Sequence, residues 1–192
     1  MKNNIQNNYL GYLVDFELVD FHVLFTKRSV SSQYVKSSFY AGTTFYKDLS
    51  TAEQSYLKNR ASSYTGSTMH FFKNLTTNTW GKKEFVLFEG SFATNPELFF
   101  EVTDYQNVKK VTLKNQEKYT SSFNGNNRFY KSFNLLFDKK EQSKVTFRTP
   151  VFYVDAYGNH TNIDEIDFSG DISKKRFGDM LPINFVLTVS KN

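Results

Sequence analysis

The alternation of apolar and polar positions changes phase within one stretch near the N-terminus. The apolar set up to the change is Tyr12, Val14, Phe16 and Leu18, and the set after it is Val19, Phe21, Val23 and Phe25. A one-residue slip turns every later side chain to the opposite face of a strand unless a β-bulge absorbs it. We therefore predict one long bent strand over residues 9–26 with a bulge near Leu18. The alternative is a pair of short strands joined at Asp20.

One downstream segment has the signature of a helix. Ser50 followed by Glu53 forms a capping box, and an apolar stripe continues to Ala61 at helical spacing. These features predict one short helix over about residues 50–61.

Most other apolar segments are short and alternate with the period of a strand. The predicted strands are 69–72, 84–88, 98–103, 108–114, 118–123, 128–137, 144–148, 151–154, 163–168 and 183–189. Asn124-Gly125 predicts a hairpin turn, while residues 27–48 alternate weakly and predict an extended arm or an edge segment. Many short strands with one helix predict an all-β fold, mainly an antiparallel β-sandwich or a jelly-roll-like arrangement. At 192 residues, a single domain over 1–192 is expected.

Composition supports the sheet and removes several classes of function. The chain has 21 Phe and 12 Tyr, residues that favour strands, and only 3 Pro. It has no cysteine, which excludes disulfides, thiolate zinc sites and cysteine nucleophiles. The polar N-terminus predicts that no signal peptide is present. A continuous apolar run of about 18 residues is missing, so no membrane span is expected.

The sequence contains few patterns typical of a reactive site. Asp164, Glu165, Asp167 and Asp171 are close enough to be candidate calcium ligands, although they equally fit the solvent face of a strand and its turn. His22 and His160 fit exposed positions, and His70 has no second histidine at the spacing of a metal site. Nucleophile-elbow, phosphate-loop and dinucleotide motifs are absent from the sequence. We predict neither a cofactor nor a catalytic residue, but a hydrolase whose residues converge only in the fold stays an alternative.

Aromatic and basic residues are the candidates for interaction. The aromatic candidates in the predicted arm are Tyr34, Phe39, Tyr40, Phe45 and Tyr46, and the basic candidates are Lys174, Lys175 and Arg176. A net charge of +5 makes a non-specific nucleic-acid contact an alternative, although basic doublets also protect strand edges. Exposed aromatics beside carboxylates would instead favour a carbohydrate-binding β-sandwich, as a receptor-binding or decoration domain.

The layout of the chain also suggests a family. A cysteine-free, Asn- and Phe-rich chain with a bent first strand, a polar arm "SVSSQYVKSSFYAGTT" and a final segment "INFVLTVSKN" resembles a small bacteriophage virion component of the tail, neck or ring type. The resemblance covers composition and layout over the whole chain. It implies a non-enzymatic homo-oligomer that binds other virion proteins, is assembled in the host cytoplasm and resides in the virion.

Overall fold

The computed structural model describes residues 2–49, 53–114, 118–120, 127–129, 131–175 and 177–187. The chain divides into two compact units, residues 1–59 and residues 60–192. All described strand pairs are antiparallel, so the predicted all-β class is confirmed. The prediction of a single domain stays a prediction, because the division does not decide whether the units fold separately.

The first unit is built on a three-stranded sheet. Its strands are β1 (Lys2–Asn7), β2 (Tyr12–Phe25) and β3 (Val35–Asp48), in the order β1-β2-β3. The pairing of β2 with β3 skips Val19, which places the predicted bulge next to Leu18. The prediction of one long strand is therefore confirmed, and the two-strand alternative is wrong. Residues 27–48 contain a loop, a 3-10 turn at Ser32–Tyr34 and the edge strand β3.

Two helices follow, where the sequence predicted one. Helix α1 spans Gln54–Tyr64, and residues 50–52, which carry the predicted capping serine, lie outside the described residues. Helix α2 spans Thr68–Thr77, so the strand predicted over 69–72 is wrong. The Ser67 hydroxyl accepts the His70 N–H as an N-cap. Asn78 ends α2 in the left-handed conformation.

The second unit holds most of the strands. They are β4 (Phe85–Glu89), β5 (Phe92–Ala93), β6 (Phe100–Tyr105), β7 (Val108–Leu113), β8 (Lys118–Thr120), β9 (Asn127–Phe129), β10 (Lys131–Phe137), β11 (Glu141–Phe147), β12 (Val151–Val154) and β13 (Ile166–Gly170). One sheet has the order β13-β11-β10-β4-β5, a second has the order β12-β7-β6, and β8 pairs with β9 around the predicted Asn124-Gly125 turn. That turn itself lies outside the described residues.

Both larger sheets contribute to one aromatic core. Phe133 and Phe147 of the five-stranded sheet lie against Phe100 and Phe152 of the three-stranded sheet, with ring centroids 5.4–5.5 Å apart. Phe72 of α2 packs on Phe152 at 5.6 Å. The alternation of β10 explains this arrangement, because every second side chain from Lys131 to Phe137 is buried. Stacked, tilted and edge-to-face aromatic contacts thus join the two sheets and α2.

Two predicted strands near the C-terminus also differ from the structure. Residues 163–165 form a 3-10 turn, and β13 begins only at Ile166. Residues 183–187 are not a strand, because no described segment supplies them with a ladder partner. Phe185 packs 5.6 Å from the Tyr64 ring, whereas Ile183 is exposed. Val189 lies outside the described residues.

Candidate functional site

The outer half of the first unit's sheet has only two strands. Strand β1 pairs with β2 from Tyr12 to Glu17 and goes no further. Residues 18–25 of β2 and 35–42 of β3, with the loop 26–34 between them, therefore form a two-stranded extension, here called the distal ribbon. Within the described residues, β2 has no neighbour on its second edge there. A lone two-stranded ribbon is marginally stable in water.

The bulge keeps the apolar side chains of β2 on one face of the sheet. Partners across a ladder share a face, and the apolar residues Val14, Phe16, Leu18, Phe21 and Val23 pair with residues 46, 44, 42, 40 and 38 of β3. These β3 positions are all even, so they alternate onto the same side. The phase slip in the sequence is thus the means by which one apolar face continues along the whole strand.

That apolar face is buried at its base and partly exposed along the distal ribbon. Val14 is buried and Val23 is half-buried, whereas Leu18 and Phe21 are 40% and 59% exposed. Val19, the residue that the ladder skips at the bulge, is 72% exposed. With an aromatic side chain of about 200 Å² as the scale, Leu18, Val19 and Phe21 together expose roughly 300 Å² of apolar surface. The largest apolar patch of a soluble monomer commonly has about this size, and it is often functional.

Charge is also unevenly distributed along β2 and β3. Asp15, Glu17 and Asp20 lie at and below the bulge, whereas no acidic residue occurs from residue 21 to residue 46. Lys27, Arg28 and Lys36 surround the tip of the ribbon. Lys27 lies 3.6 Å above the Tyr34 ring as a cation–π contact. The ribbon is therefore acidic at its base and basic at its tip.

Gly42 allows the two strands to approach closely at the bulge. A Cβ atom at this position would lie 2.6 Å from the Glu17 carbonyl oxygen and 2.6 Å from the Phe16 ring. Any larger residue would push the strands apart, so the shape of the ribbon depends on this glycine.

The predicted aromatic candidates are spread over both faces of β3 and the loop. Phe39 stacks on His22, with centroids 4.9 Å apart, and Tyr46 packs edge-on against Tyr12 at 5.4 Å. Phe45 is exposed on the face opposite Phe21. The side chain of Tyr40 lies outside the described residues. The sequence reasoning missed Val19 and Phe21, although the phase slip in β2 was their signal.

The predicted basic candidates are engaged within the chain. Lys175 Nζ donates to the Ser62 and Thr65 carbonyl oxygens at the end of α1, at 2.9 and 3.4 Å. Lys174 pairs with Asp171, which raises the pKa of Lys174 and lowers that of Asp171. Arg176 lies outside the described residues. Lys174 and Lys175 therefore make their contacts within the second unit.

The four candidate calcium ligands do not converge. In the described part of the chain, no group of three or more His, Asp or Glu side chains comes together in a way that could hold a metal. Asp167 pairs with Arg148, Glu165 accepts the Asn162 amide at 2.7 Å, and Asp171 accepts the Gln142 N–H at 2.8 Å. The carboxylates serve separate turns and strand ends, so the described structure does not bring these four candidates together as one site.

Two histidines are half-buried, although the sequence predicted an exposed position for His160. His160 stacks on Phe72 with centroids 4.1 Å apart, and burial lowers its pKa to about 4. His70 Nε2 donates to the Glu84 carboxylate at 2.9 Å, and its Nδ1 accepts the Gly66 N–H at 3.2 Å. Burial lowers the pKa of His70 despite Glu84. Both ring nitrogens of His70 are occupied, so it fixes the turn between α1 and α2.

Comparison with known proteins gives no relative for this chain. No family model, curated protein or solved structure matches it. Of the two described helices, neither is long and apolar enough to cross a membrane. The geometry of the molecule itself is therefore the basis for assigning a function.

Proposed function

We propose that this chain is a non-enzymatic assembly subunit that binds a second copy of itself through the apolar face of the distal ribbon. The observation that carries the proposal is the exposure of Leu18, Val19 and Phe21 on a ribbon that has only two strands. Burial of such a face against another surface is favourable, because it removes apolar surface from water.

The open edges of the ribbon provide a second means of association. Unpaired N–H and C=O groups of an edge strand readily pair with a strand from another chain. The free edge of β2 begins at Leu18, next to the exposed apolar residues. Strand pairing and apolar burial would thus act over the same eight residues of β2.

The charge distribution favours a second copy as the partner. Two ribbons that associate antiparallel around a two-fold axis bring the basic tip of each copy onto the acidic base of the other. Glu17 and Asp20 at the base, and Arg28 and Lys36 at the tip, have no ion-pair partner among the described residues. Glu17 and Asp20 pair with Thr43 and Ala41, on the face opposite Phe21, so they meet the partner's tip when the two copies pair along the free β2 edge. A parallel arrangement would place like charges together.

The exposed apolar area fits the centre of a modest interface. A standard interface buries about 800 Å² on each partner, with an apolar core and a polar rim. The roughly 300 Å² of apolar surface on the ribbon would form such a core.

We extend the same proposal to a biological setting. The chain would be a tail, neck or ring component of a bacteriophage virion and would bind other virion proteins. The support for this setting is the resemblance in composition and layout, together with a ribbon suited to joining copies. Virion proteins that bind the purified chain through the distal ribbon would support this setting.

Analytical ultracentrifugation of the full chain over a range of concentrations tests self-association. We expect a reversible dimer or a larger symmetric oligomer, because the exposed face is present on every copy. A chain that stays monomeric at every accessible concentration would refute the proposal.

A charge exchange tests the antiparallel arrangement. One variant carries Arg28→Glu with Lys36→Glu, and the other carries Glu17→Lys with Asp20→Lys. Each variant alone should self-associate weakly, and an equimolar mixture should form the mixed dimer because opposite charges then meet. High salt should weaken this preference. If the mixture behaves as the sum of its parts, the two charged ends do not meet.

A further inference from the structure

A polar groove lies on the second unit, far in sequence from the ribbon. Its volume is about 520 Å³, within the usual range for ligand sites. The end of α2, the loop that follows it, the 3-10 turn Pro96–Leu98 and strands β6 and β7 line the groove. Four separate segments of chain therefore converge on one concave surface.

Trp80 and Val102 provide the apolar wall. The other apolar lining residues, Leu75, Pro96 and Phe100, are buried and offer almost no surface. Val102 is half-buried, and so is Trp80, whose indole packs against Phe71 at a centroid distance of 6.1 Å. The remaining surface of Trp80 faces a lining that is mainly polar.

The polar lining presents both acceptors and donors. Asn78 Nδ2 donates to Glu97 Oε1 at 2.7 Å, and Lys114 Nζ donates to the Glu97 carbonyl oxygen at 3.3 Å, which fixes this corner of the groove. The Glu101 carboxylate and the Trp80 indole N–H have no partner among the described residues. The groove therefore holds unused hydrogen-bonding capacity of both kinds.

The charges of the groove exclude several classes of ligand. The lining contains the carboxylates of Glu97 and Glu101 and the ammonium groups of Lys109 and Lys114, of which Lys109 already pairs with Asp104. The C-terminal end of α2 adds a partial negative charge, which disfavours an anion. The described residues hold no metal-binding cluster. The buried apolar residues leave no pockets for the side chains of a bound peptide.

We propose that this groove binds a neutral carbohydrate. A sugar has an apolar C–H face for the Trp80 ring, and its hydroxyl groups donate to the Glu101 carboxylate and accept from Lys114. A ligand with many hydroxyls can donate to the Glu101 carboxylate and accept from the Trp80 N–H at once. The inference is independent of self-association, because all of its residues belong to the second unit.

Tryptophan fluorescence reads out this site selectively, because Trp80 is the single tryptophan of the chain. The full chain is titrated with neutral oligosaccharides built from glucose, galactose or N-acetylglucosamine. We expect a saturable change in Trp80 emission with at least one of them, and saturation-transfer NMR should show contact with the same sugar. Inorganic phosphate should give no change. If no neutral oligosaccharide gives a saturable change, or if phosphate binds in its place, the proposal is wrong.

Two matched variants connect the signal to the groove. Glu101→Gln removes an exposed, unpaired carboxylate and should weaken sugar binding roughly tenfold, because a charge-assisted hydrogen bond is lost. Asp164→Asn makes the same change of charge at an exposed position outside the groove and should bind like the unaltered chain. Equal affinities for Glu101→Gln and Asp164→Asn would overturn the assignment. The exposed positions keep this comparison independent of folding.

Discussion

Replacement of Phe21 by Thr is the most direct test of the ribbon interface. Phe21 is 59% exposed, which leaves about 120 Å² of a typical aromatic side chain in contact with water. Threonine keeps the preference for a strand but removes roughly 80 Å² of that apolar surface, worth about 2 kcal/mol. A two-fold dimer contains the residue twice, so its loss comes to about 4 kcal/mol, or roughly a thousandfold in dimer Kd.

Sedimentation equilibrium measures that change directly. The unaltered chain and Phe21→Thr are compared over the same concentrations, and circular dichroism confirms that the strand content is unchanged. Phe92→Thr makes the same substitution at a position that is 82% exposed in the second unit. It should leave the dimer Kd unaltered.

A second comparison separates the two faces of the sheet. Phe45 is 69% exposed on the face opposite Phe21. Phe45→Thr therefore removes a similar area of apolar surface from the face that the proposed interface does not use. The reasoning is refuted if Phe21→Thr leaves the Kd unchanged, or if Phe45→Thr weakens the dimer as strongly as Phe21→Thr does. The second result would extend the interface to the opposite face, where Phe39 and Phe45 lie.

Three further predictions concern stability. Gly42→Ala should cost about 1–3 kcal/mol in urea denaturation, because its new Cβ meets atoms at 2.6 Å, whereas Gly178→Ala meets no atom within 4 Å and should cost little. Burial lowers the pKa of His160 from 6.5 to about 4, so the folded state binds fewer protons between these values and stability falls by up to about 3 kcal/mol as the pH drops through this window. His160→Phe should remove that pH dependence of the denaturation midpoint. Lys175→Ala should cost about 1 kcal/mol in thermal unfolding through lost contacts at the end of α1, and the exposed Lys174→Ala should cost less.

The half-buried position of His160 and His70 bears on the hydrolase alternative. A general base needs a free nitrogen directed at a substrate. His70 uses one nitrogen for Glu84 and the other for the Gly66 N–H, while His160 lies flat on Phe72. Burial, aided by Glu84, also raises the pKa of Tyr64, which keeps its hydroxyl protonated. These groups are explained by packing and do not require a reaction.

The sequence was sufficient for features that depend on neighbouring residues. Alternation identified most strands because side chains of a strand alternate between its faces regardless of what covers them. The phase slip near Leu18 located the bulge because a single extra residue is the smallest change that restores one face. The boundaries of β12 matched the prediction for the same reason, since its short apolar run is bounded by Pro150 and Asp155.

Ambiguous patterns were resolved only by contacts distant in sequence. The run Met69–Phe72 is too short to show a period, and it became helix because Ser67 caps it and one face packs on the core. The alternation of residues 183–187 was clearer, but a strand also needs a partner for its backbone groups. The described fold provides none, so those residues stay outside the sheets.

The candidate sites were decided by tertiary structure alone. The sequence shows that Lys175 is basic, but only the fold brings it to the end of α1. It contains Trp80 and Glu101, but only the fold lines one groove with both. Neighbouring residues are sufficient to show a local period. The exposure of a side chain and the convergence of several side chains on one site depend on which distant segments come together. The sequence by itself therefore determined the strands and the bulge, and the tertiary structure decided which of their side chains are left for a partner.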